Sequence, residues 1–171
     1  KRVRVRGDGH CLFRAVAASL AMDAGTHSDR ARNHLASLTE PGVREVVGAL
    51  GALLAVDLAS ALNDETQSDA AVGALRRCAA SHMRGNAERF ALAAAFDGQL
   101  AAYCARLEDM ATSTPAYGGH TELVAMSEAL RVRFEIIDCS QRVLSITVGE
   151  HLPQGVPICR LLRRGPPFHL L

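Results

Sequence analysis

The chain has no tryptophan and few aromatics of any kind, 4% of its 171 residues. Single-stranded nucleic-acid grooves rely on aromatic platforms beside clustered cations, and a net charge of +1 supplies no such cluster, so a polyanion-binding role is set aside. The arginines at 2, 4 and 6, and at 160, 163 and 164, read as solvated strand faces. No apolar run reaches membrane-span length: the most apolar stretch, 46–62, is interrupted by Gly48, Gly51, Asp57 and Ser60. Lys-Arg-Val-Arg-Val-Arg at the start has no apolar segment behind it, which argues against a secretory leader. The five cysteines are Cys11, Cys78, Cys104, Cys139 and Cys159, with no Cys-x-x-Cys pair. An odd, dispersed set argues against a disulfide framework and against a structural zinc site. The expected setting is a reducing, cytoplasmic compartment (a host cytosol if the chain comes from a pathogen), and no metal or organic cofactor is expected.

What is there is a chain long enough to bury a full core as one domain. Val3 and Val5 alternate with arginines, which is strand periodicity. Gly7-Asp8-Gly9 is a turn. Leu12, Val16 and Leu20, with Phe13 and Ala17 beside them, then mark a core-facing helix opened by Cys11. A second helix is expected over 27–38, with Ser28 as cap and Pro41 beyond its end. Residues 42–111 are alanine-rich and helical in pattern, with breaks near Asn63-Asp64, Gly85-Asn86 and Asp97-Gly98. Residues 113–119 read as a loop, and Leu123, Met126 and Leu130 as another helix face. Strand patterns follow at 134–137, 143–148 and 156–162, with a last short one at 168–171. Helices followed by a strand cluster indicate an α+β fold.

A thiolate nucleophile needs a base, a group that orients the base, and N–H donors for an oxyanion. Cys11 lies where a glycine turn becomes a helix, and a helix N-terminus favours the thiolate. The 8–11 turn offers backbone N–H groups, and Gly9 lets that backbone approach a substrate carbonyl. Asp8 reads as an N-cap worth about 1 kcal/mol. Of seven histidines, His10 adjoins Cys11 but its side chain should diverge. His27, His34 and His82 lie on polar helical stretches and read as solvated, and His151 sits in a polar segment. His120 and His169 are left as candidates for the base. Cys78 and His82, four apart on one helical face, read as a buried thiol beside a surface histidine.

Gly7-Asp8-Gly9-His10-Cys11-Leu12-Phe13-Arg14-Ala15 resembles the Asp-Gly-x-Cys-Leu-Phe/Tyr-x-Ala/Ser block of the ovarian tumour (OTU) family of cysteine proteases, mostly deubiquitinases. Tyr117-Gly118-Gly119-His120-Thr121-Glu122-Leu123, with Ala125 to Leu130 and Phe134-Glu135-Ile136-Ile137 after it, resembles the family's Trp-Gly-Gly-x-x-Glu-Leu helix and following strand. Phe168-His169 resembles the terminal histidine block, and the helix from Tyr103 to Met110 the one before the Gly-Gly loop. The resemblance implies that Cys11 is the nucleophile, that His169 is the general base, and that Asp8 with its N–H helps form the oxyanion hole. Gly9, Tyr117, Gly118 and Gly119 are then the expected substrate channel. It implies a papain-like fold with a central β-sheet between helical layers, and a single domain over 1–171 with a helical insertion at about 40–97. The implied function is hydrolysis of isopeptide bonds at the C-terminal glycine of ubiquitin or a ubiquitin-like protein by a monomer whose partners include polyubiquitin chains. Two positions depart from the pattern. Tyr117 stands for Trp, and Leu171 stands where many members carry the Asp or Asn that orients the histidine. The second departure motivates an alternative, a ubiquitin-binding domain with weak or no catalysis. A papain-like hydrolase of other proteins is a third reading.

Overall fold

The computed structural model describes residues 5–26, 30–54, 58–61, 64–91, 99–111, 115–138 and 143–163. Within them the chain forms helices α1 (Cys11–Thr26), α2 (Arg30–Ser37), α3 (Pro41–Leu54), α4 (Leu58–Ala61), α5 (Glu65–Gly85), α6 (Ala87–Phe90), α7 (Leu100–Glu108) and α8 (His120–Leu130). Strands β1 (Arg133–Asp138), β2 (Val143–Val148) and β3 (Ile158–Arg163) follow. The α+β order expected from the sequence is the order observed.

Leu12, Phe13, Val16, Ala17 and Leu20 are all buried, so α1 is enclosed by other elements rather than laid on a surface. α5 is the hub of the core. Its residues Ala71, Val72, Leu75, Cys78, Ala79 and Met83 are buried, and the helix packs against α1, α3, α7 and α8. Small residues let these neighbours approach closely, as alanine and glycine do wherever helices pack tightly. The segment at about 40–97, expected as a helical insertion, therefore carries the helix around which the rest is assembled. Its breaks have local causes. Asp64 caps α5 by accepting from the Thr66 N–H at 2.9 Å and the Thr66 hydroxyl at 2.6 Å. Asn86, after Gly85, ends α5 and opens α6. Pro41, read from sequence as a stop after the preceding helix, is the first residue of α3, where a missing N–H costs nothing.

The sheet has order β2-β1-β3. β1 pairs antiparallel with β2, with a register shift between Ile136 and Ile137, and parallel with β3. Phe134, Ile136, Val148, Cys159 and Leu161 form its buried face, against which α1 and α8 pack. The other face carries an ion pair, Arg160 Nε to Glu135 Oε2 at 2.9 Å, between residues opposite each other in the parallel register. The strand expected at Val3 and Val5 is not seen in the part described: residues 5–7 form no ladder, and Val5 is instead buried in the core. The strand expected at 168–171 lies outside the described residues.

Candidate functional site

Gly9 has φ +85°, and a Cβ there would lie 2.5 Å from Pro115 Cγ. Only glycine satisfies both the left-handed backbone and the contact. Gly118 meets a similar constraint by space alone: a Cβ would lie 2.7 Å from Leu12 Cδ2 and 2.8 Å from Phe13 Cε2. The 115–119 loop thus lies directly on the turn and first helical residues around Cys11. The structure brings Asp8, Gly9, Cys11, Gly118 and Gly119 into one neighbourhood, although more than a hundred positions separate the two segments. Tyr117 stands on the same loop with its ring 67% exposed. His169 lies outside the described residues.

Asp8 does something other than the expected N-capping. Its Oδ1 accepts the His10 N–H at 3.1 Å, an Asx-type turn that shapes the backbone before α1. Its Oδ2 is paired with Arg14, one helical turn into α1. Arg14 is 1% exposed and also donates from Nε to Ser68 Oγ at 3.1 Å, with Asp69 3.6 Å from Nη2. A helix that begins at Cys11 has His10 at its N-cap position, which leaves Asp8 two residues too early to cap it, and the buried guanidinium claims the free carboxylate oxygen. Burial alone would raise Asp8. The Arg14 bond and the His10 N–H outweigh that and hold the carboxyl below its ordinary value.

Cys11 is 4% exposed. Burial pushes its thiol above the ordinary value, the Leu12 N–H draws it back, and the charge of Asp8 adds to the rise. The helix-terminal amides do act in the direction read from the sequence, but desolvation exceeds them, so the resting group is a thiol and needs a base to ionise. His10 is held below its ordinary value by burial and by the charge of Arg76, which makes it a neutral imidazole at neutral pH. Its buried Nδ1 has no hydrogen-bond partner among the described residues. Among the described residues no hydrogen bond joins a histidine to the Cys11 sulfur.

Other histidines, read as solvated, are structural. His34 Nε2 lies 3.1 Å from the Leu130 carbonyl, and His82 Nε2 lies 3.1 Å from Glu128 Oε2 with its ring edge-on to Phe90. His120 is exposed at the start of α8. Cys78 is buried, with its thiol pushed up to about 12 by desolvation. Cys11, Cys78, Cys104 and Cys159 are all buried, and no disulfide joins any two of them. Among the described residues no cluster of three His, Cys, Asp or Glu side chains is arranged to hold a metal ion. No described helix is long and apolar enough to cross a membrane.

Sequence reasoning missed the groups that hold the two segments in place. Glu122, 2% exposed, accepts from the Gly119 N–H at 2.5 Å and from the Tyr103 hydroxyl at 2.6 Å, fixing the loop to both α8 and α7. Burial and the Glu122 charge push the Tyr103 hydroxyl well above its ordinary range, so it stays a donor. Arg76, fully buried on α5, donates to the carbonyls of Gly9, Ala116 and Leu107. One signal was available for Arg76: it falls on the stripe Val72, Leu75, Ala79, Met83, where an apolar residue is expected. Chemically, the arrangement places a cysteine thiol at a helix start, with the Leu12 and Cys11 N–H groups directed at its sulfur and the Gly118-Gly119 loop packed on the first residues of the helix.

Residues 6–159 of the chain match the model of a family described as OTU-like cysteine protease. Among curated proteins none matches the chain. Among solved structures, a ceOTUB1 ubiquitin aldehyde UBC13~Ub complex superposes with a TM-score of 0.69 at 21% identity, covering 96% of this chain and 76% of that one. A complex of h/ceOTUB1, ubiquitin aldehyde and UBCH5B~Ub gives 0.65 at 19% identity, covering 96% and 73%. The OTU domain of OTUD1 gives 0.56 at 14% identity, covering 99% and 82%. At such identities the likeness establishes the fold.

Proposed function

The chain belongs to the OTU-like cysteine protease family, and on that premise we propose that it is a thiol-dependent deubiquitinase. Cys11 attacks the carbonyl of the C-terminal glycine of ubiquitin or a ubiquitin-like protein. His169 takes the thiol proton and returns it to the departing lysine amine. Backbone N–H groups of the turn at Asp8 and Cys11 receive the oxyanion. Water activated by His169 then hydrolyses the thioester. Ubiquitin is the favoured partner because the similar OTUB1 structures contain ubiquitin aldehyde, and polyubiquitin chains follow as substrates.

One observation carries the reading. The Cys11 turn and the 115–119 loop touch where Gly9 and Gly118 admit no side chain. That close packing joins the nucleophile turn and the Gly-Gly loop, the two segments that carry the family motifs, into one site at the cysteine. The raised Cys11 thiol fits as well, since a base is then required and general-base activation is the mechanism. A ubiquitin probe with a C-terminal electrophile tests the proposal. The wild type should form an adduct that disappears in Cys11→Ala and slows at least about 10²-fold in His169→Ala, the usual scale of general-base loss. The second reading, a ubiquitin-binding domain with little catalysis, rests on Leu171 in the place of an orienting acid. Binding of the probe without an adduct would select it, and faster cleavage of unrelated peptides than of ubiquitin substrates would overturn both.

A further inference from the structure

The Gly9–His10 peptide is gripped from both sides. Its N–H donates to Asp8 Oδ1 at 3.1 Å, and its C=O accepts from Arg76 Nη2 at 3.1 Å. The same Nη2 donates at 2.9 Å to the carbonyl of Ala116, the residue before Tyr117-Gly118-Gly119. Nη1 donates at 2.9 Å to the Leu107 carbonyl, near the end of α7. The guanidinium also lies on Phe13, Cζ 4.6 Å from the ring centroid, and Phe13 is one of the two side chains against Gly118. One side chain on the central helix therefore touches the turn before Cys11, the loop over it and the helix leading to that loop.

This is a costly way to fill space. Arg76 is 0% exposed, and among the described residues no carboxylate pairs with it at ion-pair distance. Burial lowers its pKa to about 10, which leaves it charged at neutral pH. A buried cation held by carbonyls and an aromatic face, with no carboxylate, often contributes no more to stability than an apolar side chain of the same volume would. What an apolar residue cannot do is bridge two separate loops. The planar fork serves several carbonyls at fixed angles, which a lysine ammonium does not reproduce.

We infer that Arg76 is a positioning residue that locks the Cys11 turn to the Gly-Gly loop, so that the thiol, the oxyanion donors and that loop form one rigid unit. What this unit positions depends on the deubiquitinase reading; the lock itself does not. The experiment has two arms. In the first, Arg76→Lys and Arg76→Met are compared with the wild type in hydrolysis of a ubiquitin C-terminal fluorophore, with kcat expressed per mole of folded enzyme. Both variants should lose about 10²-fold in kcat, the penalty of an ångström-scale misplacement, while KM and the alkylation rate of Cys11 by chloroacetamide change less than about threefold. In the second arm, amide hydrogen exchange is followed in both variants. Protection should fall together in peptides covering 7–12 and 115–119 and hold in 133–138. Arg76→Met preserves the buried volume, so a variant that keeps wild-type kcat refutes the lock. So does exchange that rises evenly through the core, or in one segment without the other. If the wild type fails to turn over ubiquitin, that refutes the functional reading, and the exchange arm alone decides the lock.

Discussion

Around Cys11 the chain is held by polar point contacts: Asp8 on Arg14, Arg76 on three carbonyls, and Glu122 between Tyr103 and Gly119. Around β1 it is held by the main-chain ladder and by Phe134, Ile136 and Leu161, all within 1% of full burial. The two ends differ in what a single substitution can do. Apolar burial is non-directional and accumulates over area, so loss at the sheet end lowers stability and leaves geometry elsewhere intact. Hydrogen bonds to loop carbonyls are directional, so loss at the Cys11 end displaces atoms. The lesson is a division of labour: the sheet end anchors, and the turn-and-loop end aims.

The largest stability effect should come from the sheet end. Phe134→Ala is expected to cost about 3–5 kcal/mol in urea denaturation, the usual range for a fully buried phenylalanine. Activity per mole of folded protein should stay within about twofold of wild type, because Phe134 lies on β1 and supplies none of the hydrogen bonds that hold the turn and loop around Cys11. A large loss of activity in the folded fraction would erase the distinction between the two ends. Gly118→Ala should show the reverse balance. Its methyl would meet Leu12 and Phe13 at under 3 Å. The expected cost is about 1–3 kcal/mol of overpacking, together with a fall in probe-adduct rate of about 10²-fold from displacement of the loop. Adduct formation at wild-type rate would show that the loop does not bear on the thiol.

Asp8 offers a test by pH. The Arg14 bond holds its folded-state value below the ordinary 3.8. The unfolded chain therefore takes up the proton first on acidification. The stabilisation is complete above the ordinary aspartate range and is lost as pH falls through the lower folded value. Asp8→Asn removes this group, so its stability should lack that acid-side loss, and the gap between wild type and variant should close as the pH falls through and below the ordinary aspartate range. At neutral pH the variant should be about 1–2 kcal/mol less stable, since Arg14 keeps Ser68 and Asp69 but loses its nearest anion. A gap independent of pH would mean that the pair is not the stabilising element.

The elements legible in the sequence are those whose signal is local. Leu12, Val16 and Leu20 mark α1, and the apolar runs mark all three described strands within two residues, because periodicity and burial coincide there. The Cys11 turn and the Gly118-Gly119 loop were legible as motifs. Their contact was not, since nothing in the chain records that Gly118 abuts Phe13. The role of Asp8 was misread because an N-cap is judged from spacing alone, whereas the carboxylate went to a buried arginine on the helix it precedes. His34 and His82 were misread for the same reason: a polar neighbourhood in sequence says little when the partner, the Leu130 carbonyl or Glu128, comes from another helix. The alanine-rich 42–111 region was legible as helical but its central place was not, because small side chains weaken the amphipathic pattern, yet small side chains are what a central helix crossed by four others requires.

The smallest expected effect refines the anchoring end. α8 closes with Arg131 in the left-handed region at φ 49°, its N–H bonded to the Ser127 and Glu128 carbonyls and the Val132 N–H to Ser127 at 3.1 Å. This is the Schellman arrangement that glycine favours. A non-glycine residue there costs roughly 1–2 kcal/mol of backbone strain, and glycine returns roughly 0.5–1 kcal/mol of that as extra chain entropy in the unfolded state. Arg131→Gly should therefore stabilise the protein by about 0.5 kcal/mol in chemical denaturation. The side chain is exposed, so no packing is lost with it. Because the helix end feeds β1 and not the Cys11 turn, kcat and adduct rate should not move at all. A gain in stability accompanied by a change in rate would mean that the anchoring end and the aiming end are coupled through α8, whose first turn carries the Glu122 that holds Gly119.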